Sequence, residues 1–134
     1  SILRVGAPGS HTDAASTGKG YTVGIGLNGQ LNKEGYNIYG ERRTSTASGR
    51  MFEDVVLCGH DEICSQIKKA HKMLSRFSII SWDFAVDENG EPILIEYNLN
   101  YPDVMIYQMN NGPLFGDLTQ TILEDVREKL KKER

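Results

Sequence analysis

Two short runs on either side of a turn constrain this chain more than anything else in it. Asp83 lies in Ile79-Ile80-Ser81-Trp82-Asp83-Phe84-Ala85-Val86, and Glu96 lies in Ile93-Leu94-Ile95-Glu96-Tyr97-Asn98. Between them stands Asp87-Glu88-Asn89-Gly90, a strong turn signal, because Asn-Gly readily supplies the positive φ that a tight hairpin needs. The pattern predicts two neighbouring antiparallel strands, with Asp83 close to opposite Glu96. Asn98 is two residues past Glu96, so in a strand it shares that residue's face.

That juxtaposition has chemical content. Two carboxylates and an amide oxygen aimed at one spot are a hard oxygen-ligand set suited to Mg²⁺. The flanking residues are mostly apolar, so unpaired charge there is costly, and a bound cation removes the cost. An acid in a strand is more often solvent-facing or salt-bridged, and Glu96 has 15 Lys and Arg residues to choose among. The order Asp83, then Glu-x-Asn at 96–98, is what favours a shared metal over two separate ion pairs.

Length and composition agree with a modest soluble unit. The 134 residues are one domain's worth of chain, enough for one core. A net charge of −3 gives no reason to expect nucleic acid or an anionic membrane as partner. No apolar run approaches the roughly 20 residues of a membrane span, and no signal peptide is visible. Cys58 and Cys64 have no companion cluster, so neither zinc nor a disulfide framework is indicated. Free thiols in a cytoplasmic protein are the expectation.

Along the chain, Ile2 to Ala7 reads as a strand with Arg4 in its middle. Pro8 to Lys19 reads as a Gly/Ser/Thr loop. Tyr21 to Leu27 and Leu31 to Tyr39 read as a hairpin turned at Asn28-Gly29. Gly40 to Val56 has no clear period and is expected to be a loop with one short strand. A helix is predicted over Asp61 to Arg76, capped by Asp61, with Ile63, Ile67, Ala70 and Leu74 at helical spacing. Pro102 is expected to open a short helix or turn to Gln108. A last helix spans about Leu114 to Lys131, with Leu118, Ile122, Val126 and Leu130 on one stripe expected to pack in the core. The fold class is α+β: an antiparallel sheet with helices on one side.

The run Ser81 to Asn98 resembles the metal-binding end of the ATP-grasp superfamily, most closely the sugar-transfer-associated ATP-grasp family, and more distantly D-alanine–D-alanine ligase and the glutamate-adding ligases. Ser1-Ile2-Leu3-Arg4-Val5 looks like that family's Thr-Leu-Arg-Val strand. His11 to Gly20 and the hairpin after it resemble its Asp-Asn…Gly-Gly loop and following hairpin. The chain departs from the pattern at Ser81, where related ligases often carry an arginine, and at Asp13-Ala14, which stands for Asp-Asn.

The resemblance implies the C-terminal subdomain of an ATP-grasp fold over residues 1–134, with a lysine-bearing nucleotide-binding half expected upstream and this stretch alone inactive. It implies an ATP-dependent carboxylate ligase: a carboxylate is phosphorylated to an acyl phosphate, which an amine or similar nucleophile attacks. Polysaccharide or cell-envelope synthesis is the implied setting. Asp83, Glu96 and Asn98 would hold one or two Mg²⁺ ions that bridge ATP phosphates, with Glu96 as the bridging ligand. Arg4 would approach phosphate or the substrate carboxylate, or else salt-bridge an acid across the sheet. Lys19 would help wrap an anion in its loop, which reads equally as a surface loop without ligand. His11 reads as a solvated loop residue, and Arg42-Arg43 as a weak anion-steering pair. Gln108 would contact the acceptor substrate or cap the next helix. Two other readings stay open: a homodimer formed through exposed sheet edges, and a non-catalytic domain that keeps the fold and uses its edge strands or last helix as an interaction surface.

Overall fold

The computed structural model describes residues 1–7, 9, 18–100 and 103–132. The loop residues Ser10 to Thr17, with His11 and Asp13, and the expected helix opening at Pro102 lie outside the described residues. In chain order the elements are β1 (Ile2–Val5), β2 (Tyr21–Ile25), β3 (Leu31–Tyr36), β4 (Arg42–Arg43), α1 (His60–Met73), β5 (Ser81–Val86), β6 (Pro92–Asn98), α2 (Met105–Asn111) and α3 (Thr119–Lys132), with 3₁₀ turns at Phe52–Asp54 and Gly116–Leu118.

The class is α+β, as the alternation of strand and helix periods implies. The strands divide between two antiparallel sheets, one of order β1-β2-β3-β4 and one made of β5 and β6. Four connections share one turn geometry, in 26–30, 37–41, 46–50 and 87–91. In each, the fourth residue is a glycine whose N–H donates back to the first carbonyl, and the first N–H donates to the fifth carbonyl. At Gly90 the turn demands φ of +86°, which a residue with a Cβ adopts only with strain. Asp87 completes that turn by accepting from the N–H groups of Asn89 (2.9 Å) and Glu91 (2.7 Å) through Oδ1.

The core sits on one face of the larger sheet. Val23, Ile25 and Leu31 bury their side chains against Phe52, which the 3₁₀ turn delivers, and Leu3, Val5, Val55 and Leu57 pack around them. Phe52 and Val23 are fully buried. On the opposite face Gly24 leaves room for the end of α2. A Cβ there would collide with Asn32 Nδ2 and lie 2.7 Å from the Asn110 carbonyl.

Three expectations about helices change. Gly59, at φ +74°, takes the N-cap position of α1 in place of Asp61. A Cβ on Gly59 would lie 2.6 Å from the Gly90 carbonyl oxygen, so the β5–β6 turn leaves space for glycine alone. Asp61 and Glu62 fall instead in the first turn, where they oppose the helix dipole. The last helix starts at Thr119, because Pro113 and Gly116 shape the preceding residues into turns. Its apolar stripe is not core packing: no residue of α3 is buried. Among the described residues no helix is long and apolar enough to cross a membrane.

Candidate functional site

β5 and β6 pair Ser81 with Asn98, Trp82 with Tyr97 and Asp83 with Glu96. Asp83 and Glu96 are therefore direct cross-strand partners on one face, with Cβ atoms about 5 Å apart as in any such pair. One residue later the register slips: Phe84 pairs with Leu94, leaving Ile95 as an extra residue in β6. Such a bulge sharpens the local twist and re-aims neighbouring side chains. Here it lies directly beside Glu96. Asn98 follows on the same face, its Nδ2 donating to Glu96 Oε1 at 3.4 Å.

Arg4 completes the cluster from the other sheet. Its Nη2 stands 3.8 Å from Asp83 Oδ2, with the two side chains 43% and 23% exposed. The structure thus brings Arg4, Asp83 and Glu96 together on the wall of a cavity of about 900 Å³. The rest of the wall is mainly apolar and includes Ile63, Ile80, Trp82 and Phe84.

α2 explains why a β1 residue meets a β5 residue. Tyr107 OH and Ser81 Oγ are 3.1 Å apart, which ties α2 to β5. Asn110 Nδ2 donates to Thr22 Oγ1 at 2.8 Å, and Asn32 Nδ2 donates to the Asn110 carbonyl at 2.6 Å, which ties α2 to β2 and β3. Asn111 Nδ2 donates to the Ser1 carbonyl at 3.0 Å, beside β1. Three residues of one short helix therefore hold the two sheets in the relation that sets Arg4 against Asp83.

The remaining predicted residues lie elsewhere. Lys19 is exposed and does not line this cavity. Gln108 is also exposed and off the cavity wall; its Oε1 accepts from the Leu114 N–H at 3.4 Å, and its carbonyl accepts from Gly112 N–H at 2.9 Å, so it secures the turn after α2. Its neighbour Tyr107 is the α2 residue that reaches the cavity, and sequence reading missed it. The helical spacing of Val104 and Tyr107, both on that wall, is the available signal. The Arg42-Arg43 pair is engaged structurally: Arg42 Nη1 lies 2.9 Å from Glu34 Oε1, and the Arg43 guanidinium sits 4.6 Å from the Tyr21 ring centroid.

Two further groups were not foreseen. Trp82 stacks against Tyr97 with ring centroids 5.4 Å apart. His60, buried at the start of α1, lines the cavity, and its Nε2 lies 3.7 Å from Cys64 Sγ.

The donor set fits a hard divalent cation: two carboxylates and an amide on one strand-paired face, with Asn98 already bonded to Glu96. Among the described residues no group of three or more His, Cys, Asp or Glu side chains is gathered, so a cation held between Asp83 and Glu96 would take the Asn98 amide oxygen as its third protein ligand. No curated protein and no solved structure matches the chain. Residues 1–123 match the family described as sugar-transfer associated ATP-grasp. That span takes in β1 with Arg4, the β5–β6 hairpin with Asp83, Glu96 and Asn98, and the whole of α2, so the chain belongs to the sugar-transfer associated ATP-grasp family.

Proposed function

We propose that this chain is the metal-binding half of an ATP-dependent carboxylate ligase. The observation that carries the reading is the register of Asp83 against Glu96, with Arg4 3.8 Å from Asp83, in a chain of this family. Asp83 and Glu96 are the carboxylate ligands of a Mg²⁺-type cation, Asn98 supplies an amide oxygen, and Glu96 stands between the other two.

Asp83, Glu96 and Asn98 would hold Mg²⁺, which when bound would supply charge neutralisation for transfer of the terminal phosphoryl group of ATP to a carboxylate oxygen. Arg4 presents a planar guanidinium to the anionic reactant, phosphate or carboxylate, beside the acidic pair. The apolar walls keep bulk water from the activated acyl group, which would otherwise hydrolyse. An amine or similar nucleophile then forms a bond to the acyl carbon as the carbon–oxygen bond to phosphate breaks. The Ser81 and Tyr107 hydroxyls provide polar contacts for the acceptor at that wall, with Gln108 holding the turn behind them. Lys19 adds a positive charge at the loop before β2. Synthesis of a surface polysaccharide or cell-envelope metabolite is the setting the family name favours.

Arg4 also supports a second reading. As a counter-ion to Asp83 it gives the acid a partner without any metal, as a non-catalytic domain of this fold would need. Thermal melting with Mg²⁺ separates the two. The ligase reading predicts a melting temperature that rises with Mg²⁺ in the wild type and not in Glu96→Gln. An unresponsive wild type contradicts it.

A further inference from the structure

Two strand edges line the same cavity. β1 is the outer strand of the larger sheet and β5 belongs to the two-stranded one, so among the described residues each has a side that no strand pairs. The cavity wall includes the unbroken runs 1–4 and 79–86. Successive side chains of a strand point to opposite faces, so a wall made of consecutive residues is a strand met along its edge.

The register decides which main-chain groups line that edge. In an antiparallel pair every second residue turns its N–H and C=O away from the partner strand. The Ser1 carbonyl accepts from the Ile25 N–H, and the pairing continues with Ile2 opposite Gly24 and Leu3 opposite Val23. Leu3 is therefore bonded to β2, and Ile2 turns outward. At the other wall the Asp87 N–H donates to the Glu91 carbonyl, followed by Val86 opposite Pro92, Ala85 opposite Ile93 and Phe84 opposite Leu94. Ala85 is bonded to β6, and Phe84 and Val86 turn outward. Pro92, which has no N–H to give, stands in a pair that needs none. Among the described residues, Ile2, Phe84 and Val86 have no main-chain bond beyond their own hairpins.

We propose that the slot between β1 and β5 binds an extended polypeptide segment of a partner protein, which adds one strand and joins the two sheets. Hydrogen-bond complementarity selects the occupant. An extended peptide presents N–H and C=O groups along both of its edges, whereas a lipid chain or an aromatic ring would leave the outward groups of Ile2, Phe84 and Val86 bare against an apolar wall. The width of the gap agrees: β1 and β5 do not pair, yet the Arg4 side chain reaches from one to Asp83 on the other. The two sides of the slot differ in polarity. Leu3, Ile25 and Leu57 line it from the core side of the larger sheet, and the hydroxyls of Tyr107 and Ser81 from the side of α2. The inserted strand therefore alternates, with apolar residues towards the core and polar ones towards α2. Binding of this kind requires no cation between Asp83 and Glu96.

Amide exchange of the full chain, followed by nuclear magnetic resonance, tests the proposal with the hexapeptide acetyl-Val-Thr-Val-Lys-Val-Thr-amide as probe. At ten times its dissociation constant the peptide is expected to slow exchange at the Phe84 and Val86 N–H groups about tenfold, with Leu3 and Ala85 unchanged because they are already bonded within their hairpins. The same peptide N-methylated at alternate residues keeps its side chains but loses the donors of one edge, and is expected not to bind. Ile2→Pro removes the outward N–H of β1 and no bond to β2; it is expected to weaken binding while circular dichroism shows the fold intact. Failure of the hexapeptide to slow these amides at any concentration overturns the proposal, as does equal binding by the N-methylated peptide or to Ile2→Pro. So does a wild type that is dimeric by sedimentation velocity with Phe84 and Val86 already protected, since a second copy then fills the slot.

Discussion

Replacing Asp83 by Asn tests the site through two opposing terms that the structure fixes. The substitution removes the attraction to Arg4. Coulomb's law at 3.8 Å with an effective dielectric of about 20 gives about 4 kcal/mol for the bare pair. With side chains 43% and 23% exposed, solvent screening and side-chain entropy reduce that to about 1 kcal/mol or less. The same substitution relieves like-charge repulsion with Glu96, its direct cross-strand partner, worth about 0.2–1 kcal/mol. In metal-free buffer the terms nearly cancel, and Asp83→Asn should sit within about 1 kcal/mol of wild type. Added Mg²⁺ breaks the balance. At ten times its dissociation constant it stabilises the wild type by about 1.4 kcal/mol, and the variant by far less. Urea titration followed by fluorescence of Trp82, the single tryptophan, reads both effects. An equal Mg²⁺ response in the two proteins refutes the reasoning, as does a metal-free shift beyond about 2 kcal/mol.

Three further outcomes follow from the fold. Phe52→Ala empties a fully buried site and should cost about 3–5 kcal/mol, read as a lower urea midpoint; a loss below about 1 kcal/mol would mean the core is not centred there. Gly24→Ala drives a Cβ into Asn32 and the Asn110 carbonyl, and should cost about 1–3 kcal/mol while raising amide exchange in α2; unchanged exchange contradicts the docking. The bond from the Glu91 backbone N–H holds the Asp87 carboxyl below its usual value. A depressed folded pKa contributes stability above the unfolded value of 3.8, and that contribution is lost as pH falls through the lower folded value. Asp87→Asn should therefore flatten the acid limb of the melting profile in that window, and an unaltered limb would count against the turn.

What the sequence made legible was local. Asp83 and Glu96 could be paired by eye because a strand has period two and the Asp87–Gly90 turn sets where it folds back. Arg4 was found as a candidate, but its approach to Asp83 depends on two sheets being held together by Tyr107, Asn110 and Asn111, and Asn110 meets Thr22 across 88 positions. No periodicity encodes such a contact. The bulge at Ile95 was hidden for a similar reason, since a register slip is a property of two strands together. The turns at 37–41 and 46–50 were overlooked although both place an Asn or Thr first and a Gly fourth, the same pattern as 87–91. The stripe on α3 was visible as a stripe; amphipathicity says that a face will be covered, not what covers it.

The most direct measurement is Mn²⁺ binding to the full chain by electron paramagnetic resonance, with Mn²⁺ standing in for Mg²⁺. A site formed by Asp83, Glu96 and Asn98 predicts saturable binding that competes with Mg²⁺ and is lost in Glu96→Gln. Binding unaltered by Glu96→Gln, or no binding by the wild type, would contradict it.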